Sequence, residues 1–360
     1  MNHNSLKSLV IIFCLSFGLS SAAQEVQSFF VGARSLGMGG AKLGAANDET
    51  SLLANPAGLG KLRDYFGTIL DPEVDISSNY SAINLAYPIT TFDDPVTLSN
   101  ALAKSPNTYY HFREQLFPSF VVRNFGIGLY YREVLDMIMN PAGTSVNMFY
   151  QKDEAFILGY NLRFFDGRIK LGFTGKAIDR VEVNNPAIAY PGAFNLQAIA
   201  TEGLGVGGDI GLNLTAPWSL LPTLSVVARD VGSTQFTAGK NIQMTTTGTP
   251  NVVTADYDAA FSIFPITGKR TRSTLTVEAQ SIIASQTAKD PYRYYHAGWE
   301  LNYADTLFLR AGMNGHWWTG GLEISTQNFQ FQATSYGEDV GQGTSITEDR
   351  RYVAKIAFRF

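Results

Sequence analysis

Cysteine is almost missing from this 360-residue chain: Cys14 is the only one. It sits inside an apolar run from Leu9 to Leu19, which follows Lys7 and precedes the small residues Ser21-Ala22-Ala23. That layout is a secretory signal peptide, read as residues 1–23, with cleavage after Ala23. The run is too short for a membrane-spanning helix, which needs roughly 20 residues. Phe13, not a small residue, precedes Cys14, which argues against a lipoprotein acylation site. A chain without the segment contains no thiol, so disulfides, thiolate metal sites and a cysteine nucleophile are excluded. No later segment approaches 18 consecutive apolar residues, which excludes a helical membrane protein. Without Lys7 the chain keeps 26 basic against 31 acidic residues, and no basic stripe of the kind nucleic acid requires.

Catalytic and cofactor patterns are equally sparse. Gly203, Gly205 and Gly208 fit a G-x-G-x-x-G spacing, but that fingerprint needs a strand, a turn and then a helix. Alternation runs straight through these glycines to Leu214, so they belong to one strand and no dinucleotide cofactor is expected. There is no G-x-S-x-G, H-E-x-x-H or P-loop. The histidines, His3, His111, His296 and His316, are scattered in sequence and show no metal-ligand spacing. His316 beside Trp317 and Trp318 reads as part of an interfacial aromatic girdle. No cofactor, no metal and no enzymatic activity are expected; a hydrolase whose Ser–His pair assembles across strands is the enzymatic alternative.

Charged residues make up only 16% of the chain, against about 25% in soluble domains, whereas aromatics reach 12% and glycines number 34. What the chain does have is alternation. In the last eleven residues Tyr352, Ala354, Ile356, Phe358 and Phe360 fall on one face, and Val353, Lys355, Ala357 and Arg359 on the other. Strand side chains alternate between faces, so one face is apolar and aromatic and the other cationic. Residues 156–164 and 169–180 form the clearest hairpin, joined by a tight turn at Asp166-Gly167. Phe156, Leu158, Tyr160 and Phe173 lie on its apolar face; Arg163, Lys170, Thr174, Lys176 and Arg180 lie on the other. The same rule holds in 203–214, 274–283, 295–303 and 328–336. Further strands are read at 117–123, 125–134, 223–232, 256–264, 306–313, 317–325 and near 65–85. Membrane barrels turn such apolar faces to lipid and polar faces to the lumen. The expected fold is all-β, a closed transmembrane antiparallel barrel of about fourteen strands over residues 63–360. A periplasmic β-sandwich is the competing architecture.

Three segments lack strand alternation: 24–62, rich in Gly and Ala; 91–114, with a possible short helix over Pro95–Ser105; and 184–200, loop-like yet apolar. The last is either an exposed contact site or packing inside the barrel mouth. The inward cations Arg163, Lys170, Lys176, Lys355 and Arg359 could attract an anionic headgroup. The reading preferred on charge balance sets them against Asp209, Glu278, Glu300 and Glu323.

Two stretches carry a resemblance. The aromatic-rich strand ending on Phe360, with Tyr352 and Phe358 on the same face, resembles the C-terminal signal by which bacterial outer-membrane barrels engage their assembly machinery. Residues 32–60 (GARSLGMGGAKLGAANDETSLLANPAGLG) resemble the N-terminal segment of the FadL-type outer-membrane transporters and their PorV-like relatives. The matching residues are Gly37, Gly39, Gly40, Asp48, Glu49, Asn55, Pro56, Ala57 and Gly58. The resemblance covers about thirty residues and implies that 24–62 folds inside the barrel as a hatch. It also implies passive uptake of small hydrophobic or lipid-like compounds, which pass the hatch and leave sideways, in a Gram-negative outer membrane. The residues themselves make that reading sensible: glycines permit close packing on a wall, and Asn55, held extended before Pro56, has an amide free to satisfy buried backbone. A plug with no transport role, a PorV-like barrel that binds a partner protein, and an aqueous porin are the alternatives.

Overall fold

A computed structural model describes residues 25–80, 100–191, 196–238, 242–244, 246, 248–341 and 345–360. The expected signal peptide lies outside the described residues. Among these described residues seventeen antiparallel strands make one sheet. They are β1 (Phe66–Leu70), β2 (Glu73–Ser77), β3 (Tyr109–Leu116), β4 (Ser119–Val122), β5 (Phe125–Met139), β6 (Ser145–Phe164), β7 (Ile169–Ala189), β8 (Thr201–Thr215) and β9 (Thr223–Arg229). The remainder are β10 (Phe236–Thr237), β11 (Asp256–Ile263), β12 (Thr271–Ala279), β13 (Tyr295–Tyr303), β14 (Leu307–Asn314), β15 (Trp317–Ser325), β16 (Phe329–Asp339) and β17 (Glu348–Arg359). β1 continues into β2, β3 into β4, and β9 into the short β10, so the wall has fourteen staves. Closure is made by β17, which pairs with β1 (Thr68↔Arg359) and with β2 (Val353↔Asp75). A closed sheet leaves no unpaired strand edge.

The inside-out polarity follows the alternation. Phe156, Leu158, Tyr160, Leu162 and Phe164 of β6 are exposed, as are Tyr352, Ile356, Phe358 and Phe360 at the closing strand. Lys170, Thr174, Lys176, Asp209, Glu278 and Lys355 are buried, on the lumen side. Short turns, such as Arg123-Asn124 and Ala304–Thr306, mark the end of the barrel where Phe360 lies. At the opposite end lies the longer connection 280–294, and there the described chain leaves β2 at Ser77 and enters β3 at Tyr109. In membrane barrels short turns face the periplasm and long loops the exterior.

Two of the non-strand segments need correction. Residues 109–114, expected to be loop, belong to β3, and residues 184–189 extend β7. The cause is that β6 and β7 run for 20 and 21 residues, whereas a bilayer needs only about 9–11. Above the lipid-facing belt their outward faces change partner. Tyr110, Leu135, Met137, Met148, Val181 and Val183 are buried under Ala101 and Leu102 of the helical turn at 100–103, with Ile188, Tyr190 and Ile199 packed alongside. Ile188, Tyr190 and Ile199 therefore pack on the outer face of the projecting strands and not inside the mouth, while residues 192–195 lie outside the described residues. Of the short helix expected over Pro95–Ser105, residues 95–99 lie outside the described residues and 100–103 are helical.

Candidate functional site: the filled lumen, its cavity and a break in the wall

Residues 30–62 contain no strand and are buried almost without interruption. They run inside the barrel, from Glu25 near the long-loop end to Leu62 at the turn end, where Arg123 donates to the Leu62 carbonyl. Backbone amides in such a segment have no ladder to join, and a buried unpaired N–H costs about 1–3 kcal/mol. Wall side chains supply the partners. Glu278 accepts from the successive amides of Lys42, Leu43 and Gly44 at 2.9, 2.9 and 3.1 Å. Glu73 accepts from Ala33 N at 3.0 Å, at the start of the helix Ala33–Gly37, and Thr334 Oγ1 donates to Ala33 O at 2.8 Å.

The glycines expected to pack on the wall do so. Gly37 ends its helix against Gly321 and Thr334. At Gly39, φ is +71°, and an added Cβ would lie 2.4 Å from the Met313 carbonyl oxygen. Its amide donates to Thr319 Oγ1 at 2.9 Å, and its carbonyl accepts from His296 Nδ1 at 2.8 Å. Wall residues Gly298 and Gly312 face this point, so backbone meets backbone. Gly40, at φ +85°, leaves room for the His296 ring. On the opposite wall Gly172 and Gly211 seat Pro56 and Asn55.

Asn55 is fully buried and extended (φ −157°, ψ 104°). Its Nδ2 donates to Leu43 O and Asn213 Oδ1 at 3.2 and 2.9 Å, and its Oδ1 accepts from Ala57 N at 3.1 Å, which starts the 3-10 turn Pro56–Lys61. Asp48 pairs with Arg34 at 2.7 Å. Burial pushes the Asp48 carboxyl up, but Arg34, the Thr50 hydrogen bond and Arg359 together outweigh it and hold it down at about 2. Arg34 also reaches both oxygens of Glu300, at 2.7 and 2.9 Å; Glu300 in turn pairs with Arg310, and Arg310 with Glu323.

The inward cations are mostly matched. Lys176 lies 2.9 Å from both Asp209 and Asp230. Lys355 meets Asp71 at 3.0 Å, and Arg359 meets Glu49. Lys170 donates to the Gly167 carbonyl. Arg163 alone departs from its expected place: it is exposed at the β6–β7 turn, because its strand ends one residue later. Of the acids read as its counterweights, Glu278 binds backbone instead of a cation, a role alternation cannot reveal. His111 shows a convergence that its sequence isolation concealed: its Nδ1 lies 2.6 Å from Asp136, and Glu25 approaches the same point. Arg351 occupies Glu25 at 2.7 Å, so these groups form an ion-pair network. His316 pairs with Asp290 at 2.8 Å beside the exposed Trp318.

Above the filled region lies a cavity of about 450 Å³, lined by Phe29, Phe149, Ile178, Lys42, Arg132 and Val252 among others. An aromatic row leads away from it. Phe29 and Phe30 stand 5.1 and 6.0 Å from Tyr130, and Tyr130 stands 5.9 Å from Phe117 in an edge contact. Phe117 belongs to an interruption of the wall. β1 and β4 pair as far as Thr68↔Ser119, and β2 and β3 resume at Glu73↔Gln115. Between them the Asp71-Pro72 and Phe117-Pro118 breaks face each other, and proline supplies no ladder donor. One bond bridges the gap, from Phe117 N to Asp71 Oδ1. The exposed Ile69, Leu70, Phe120 and Leu129 surround it on the outside.

These features define a transmembrane β-barrel with an occupied lumen. Solved structures are similar to it in fold: the monoaromatic hydrocarbon channel TodX (a deltaS2 mutant) has 13% identity and a TM-score of 0.50, covering 91% of this chain and 97% of that one. The toluene transporter TodX of Pseudomonas putida gives 11% and 0.49 over 93% and 98%, and a FadL homologue from Pseudomonas aeruginosa 11% and 0.45 over 92% and 98%. The resemblance to FadL-type transporters thus holds at the level of fold. No protein-family model and no curated protein matches the sequence.

Proposed function

We propose that this protein resides in a Gram-negative outer membrane and admits small hydrophobic compounds by passive uptake. The ligand enters the cavity from the long-loop end, moves along the Phe29–Tyr130–Phe117 row, and leaves sideways between β1–β2 and β3–β4. Residues 25–62 act as the hatch that closes the direct route to the periplasm. The observation that carries this reading is the aromatic row, which joins the cavity to the place, among the described residues, where two facing proline breaks replace the ladder between adjacent staves. An apolar solute gains about 25 cal/mol for each Å² it removes from water, so such a row guides it without an energy source. Release into lipid is favourable for the same reason. A water-filled porin needs an open lumen, and buried residues 30–62 occupy it here. The protein reaches its membrane through the barrel assembly machinery, with the Phe360 strand as signal, and its apolar belt contacts outer-membrane lipid.

The test uses the near absence of cysteine. A Thr68→Cys/Ser119→Cys pair joins directly opposed residues beside the break. Uptake of a radiolabelled aromatic hydrocarbon into cells is expected to fall at least tenfold on oxidation and to return on reduction. Uptake unchanged in the oxidised form, with the crosslink verified, overturns lateral release.

A further inference from the structure

Under β6 to β12 the turn end of the barrel carries a surface that the uptake route does not use. Three of its connections touch: Thr215 N donates to the Arg168 carbonyl and Phe264 N to the Leu220 carbonyl, both at 2.8 Å. Turns 165–168, 216–222 and 264–270 therefore form one patch. Its apolar tips stand clear of the wall. Phe165, Trp218 and Ile266 are 75, 70 and 73% exposed, whereas the belt residues Phe164 and Leu224 beside them are 45 and 46% exposed. Arg163, Arg168, Lys269, Arg270 and Arg272 accompany the tips, all of them exposed. Asp166 is the only acid in 163–168, 216–222 and 264–272, and none of the five cations joins an ion pair among the described residues. Arg123, on the β4–β5 turn of the same end, is instead bound to the Leu62 and Arg63 carbonyls.

The patch continues the lipid-facing belt, since Phe164, Leu214, Leu224 and Phe261 at the same strand ends are exposed apolar residues. Tryptophan in such a place sits at headgroup level, and a soluble partner would have to compete with acyl chains for the same tips. Lysine and arginine beside a membrane surface attract anionic lipid, and the planar guanidinium fork matches a phosphate. A zwitterionic headgroup offers the same phosphate, but its own ammonium cancels the attraction. We propose that this patch binds the phosphates of anionic phospholipids, phosphatidylglycerol or cardiolipin, in the leaflet on the turn side, with acyl chains against Trp218, Leu220 and Leu221. This rests on the membrane residence proposed above and not on the lateral route.

Electron spin resonance on the full chain reconstituted into phosphatidylcholine bilayers tests this, with spin-labelled phosphatidylglycerol and spin-labelled phosphatidylcholine as probes. At low salt wild type is expected to hold the first about fivefold more strongly than the second. Arg168→Gln/Lys269→Gln/Arg270→Gln should bring that ratio close to one, and so should salt at about 1 M, where the Debye length is about 3 Å. The three side chains are exposed and unpaired, so the unfolding midpoint should not move. Lys104→Gln/Lys289→Gln, exposed at the opposite end, should keep the wild-type ratio. A wild-type ratio of one, or an undiminished ratio in the triple variant, overturns the proposal. So does an equal loss in the Lys104/Lys289 variant, which would make net charge alone the cause. A wild-type ratio of one with an acidic soluble protein retained by the same cations would give the patch to a protein instead. A chain that never enters the bilayer sinks membrane residence and this site with it, whereas an inserted barrel without lipid preference leaves the uptake reading standing.

Discussion

The two halves of the wall hold the inner segment by different forces. From β12 to β17 the grip is polar and tight: Glu278 collects three amides, Arg34 joins Glu300, Arg359 meets Glu49, and Gly298 and Gly312 bring backbone onto backbone at Gly39. From β4 to β7 the contact is largely side chain on side chain, with Leu52, Leu53 and Leu59 against Val121, Ile157 and Ile178. Directional bonds fix a geometry, whereas apolar contacts tolerate sliding and repacking. The wall is broken on the apolar half. A molecule that must stay plugged yet let a solute slip past benefits from one firm side and one yielding side.

That contrast can be broken from either side. The largest effect is expected at Phe117→Ala, which empties the buried end of the aromatic row and should cost about 3–5 kcal/mol. Urea unfolding in detergent would show the loss, and hydrocarbon uptake should fall in the folded fraction. Uptake that rises instead would mean that Phe117 blocks the exit more than it guides ligand. On the firm side, Arg34→Ala strips Asp48 of its ion pair and leaves Glu300 to Arg310 alone, and is expected to cost about 3 kcal/mol. Because it frees the polar grip, it should also raise ion conductance in planar bilayers. Gly39→Ala combines a left-handed backbone with a clash against Met313 and should cost about 1–3 kcal/mol, read as a lower unfolding midpoint. Asn55→Ala, which removes the bonds to Leu43 and Asn213, is expected to cost about 1–2 kcal/mol; unchanged uptake with an intact barrel would make the plug a passive filler.

The smallest effect is a pH dependence on the firm side. Asp48 is held below its unfolded value of about 3.9, so its stabilising contribution is complete above that value. It is lost as pH falls toward about 2. Trypsin sensitivity of residues 25–62 after acid exposure should increase across that window in wild type and change less in Asp48→Asn. An identical profile in both would remove Asp48 from the grip.

Much of this could be read in the chain. Alternation located the fourteen staves and their polarity because a barrel wall repeats one local rule, as at Phe156–Phe164 and Tyr352–Phe360. It failed where the rule changes partner: on β7 beyond Asp179 the outward residues Val181 and Val183 meet protein instead of lipid. Glycine-rich spacing marked Gly39 and Gly40, since close approach and positive φ leave a compositional trace. The triple acceptance at Glu278 and the convergence on His111 left none, because each depends on which stave stands opposite. Arg163 was misplaced for a simpler reason, since parity says which way a side chain points but not where the wall stops.

The seam between β17 and β1 is also where Arg359 reaches Glu49, across 310 positions of chain. A residue of the closing strand thus latches onto the middle of the inner segment. Closing the cylinder and holding its stopper therefore share one ion pair, and the wall glycines at 172, 211, 298 and 312 leave no clearance between wall and segment.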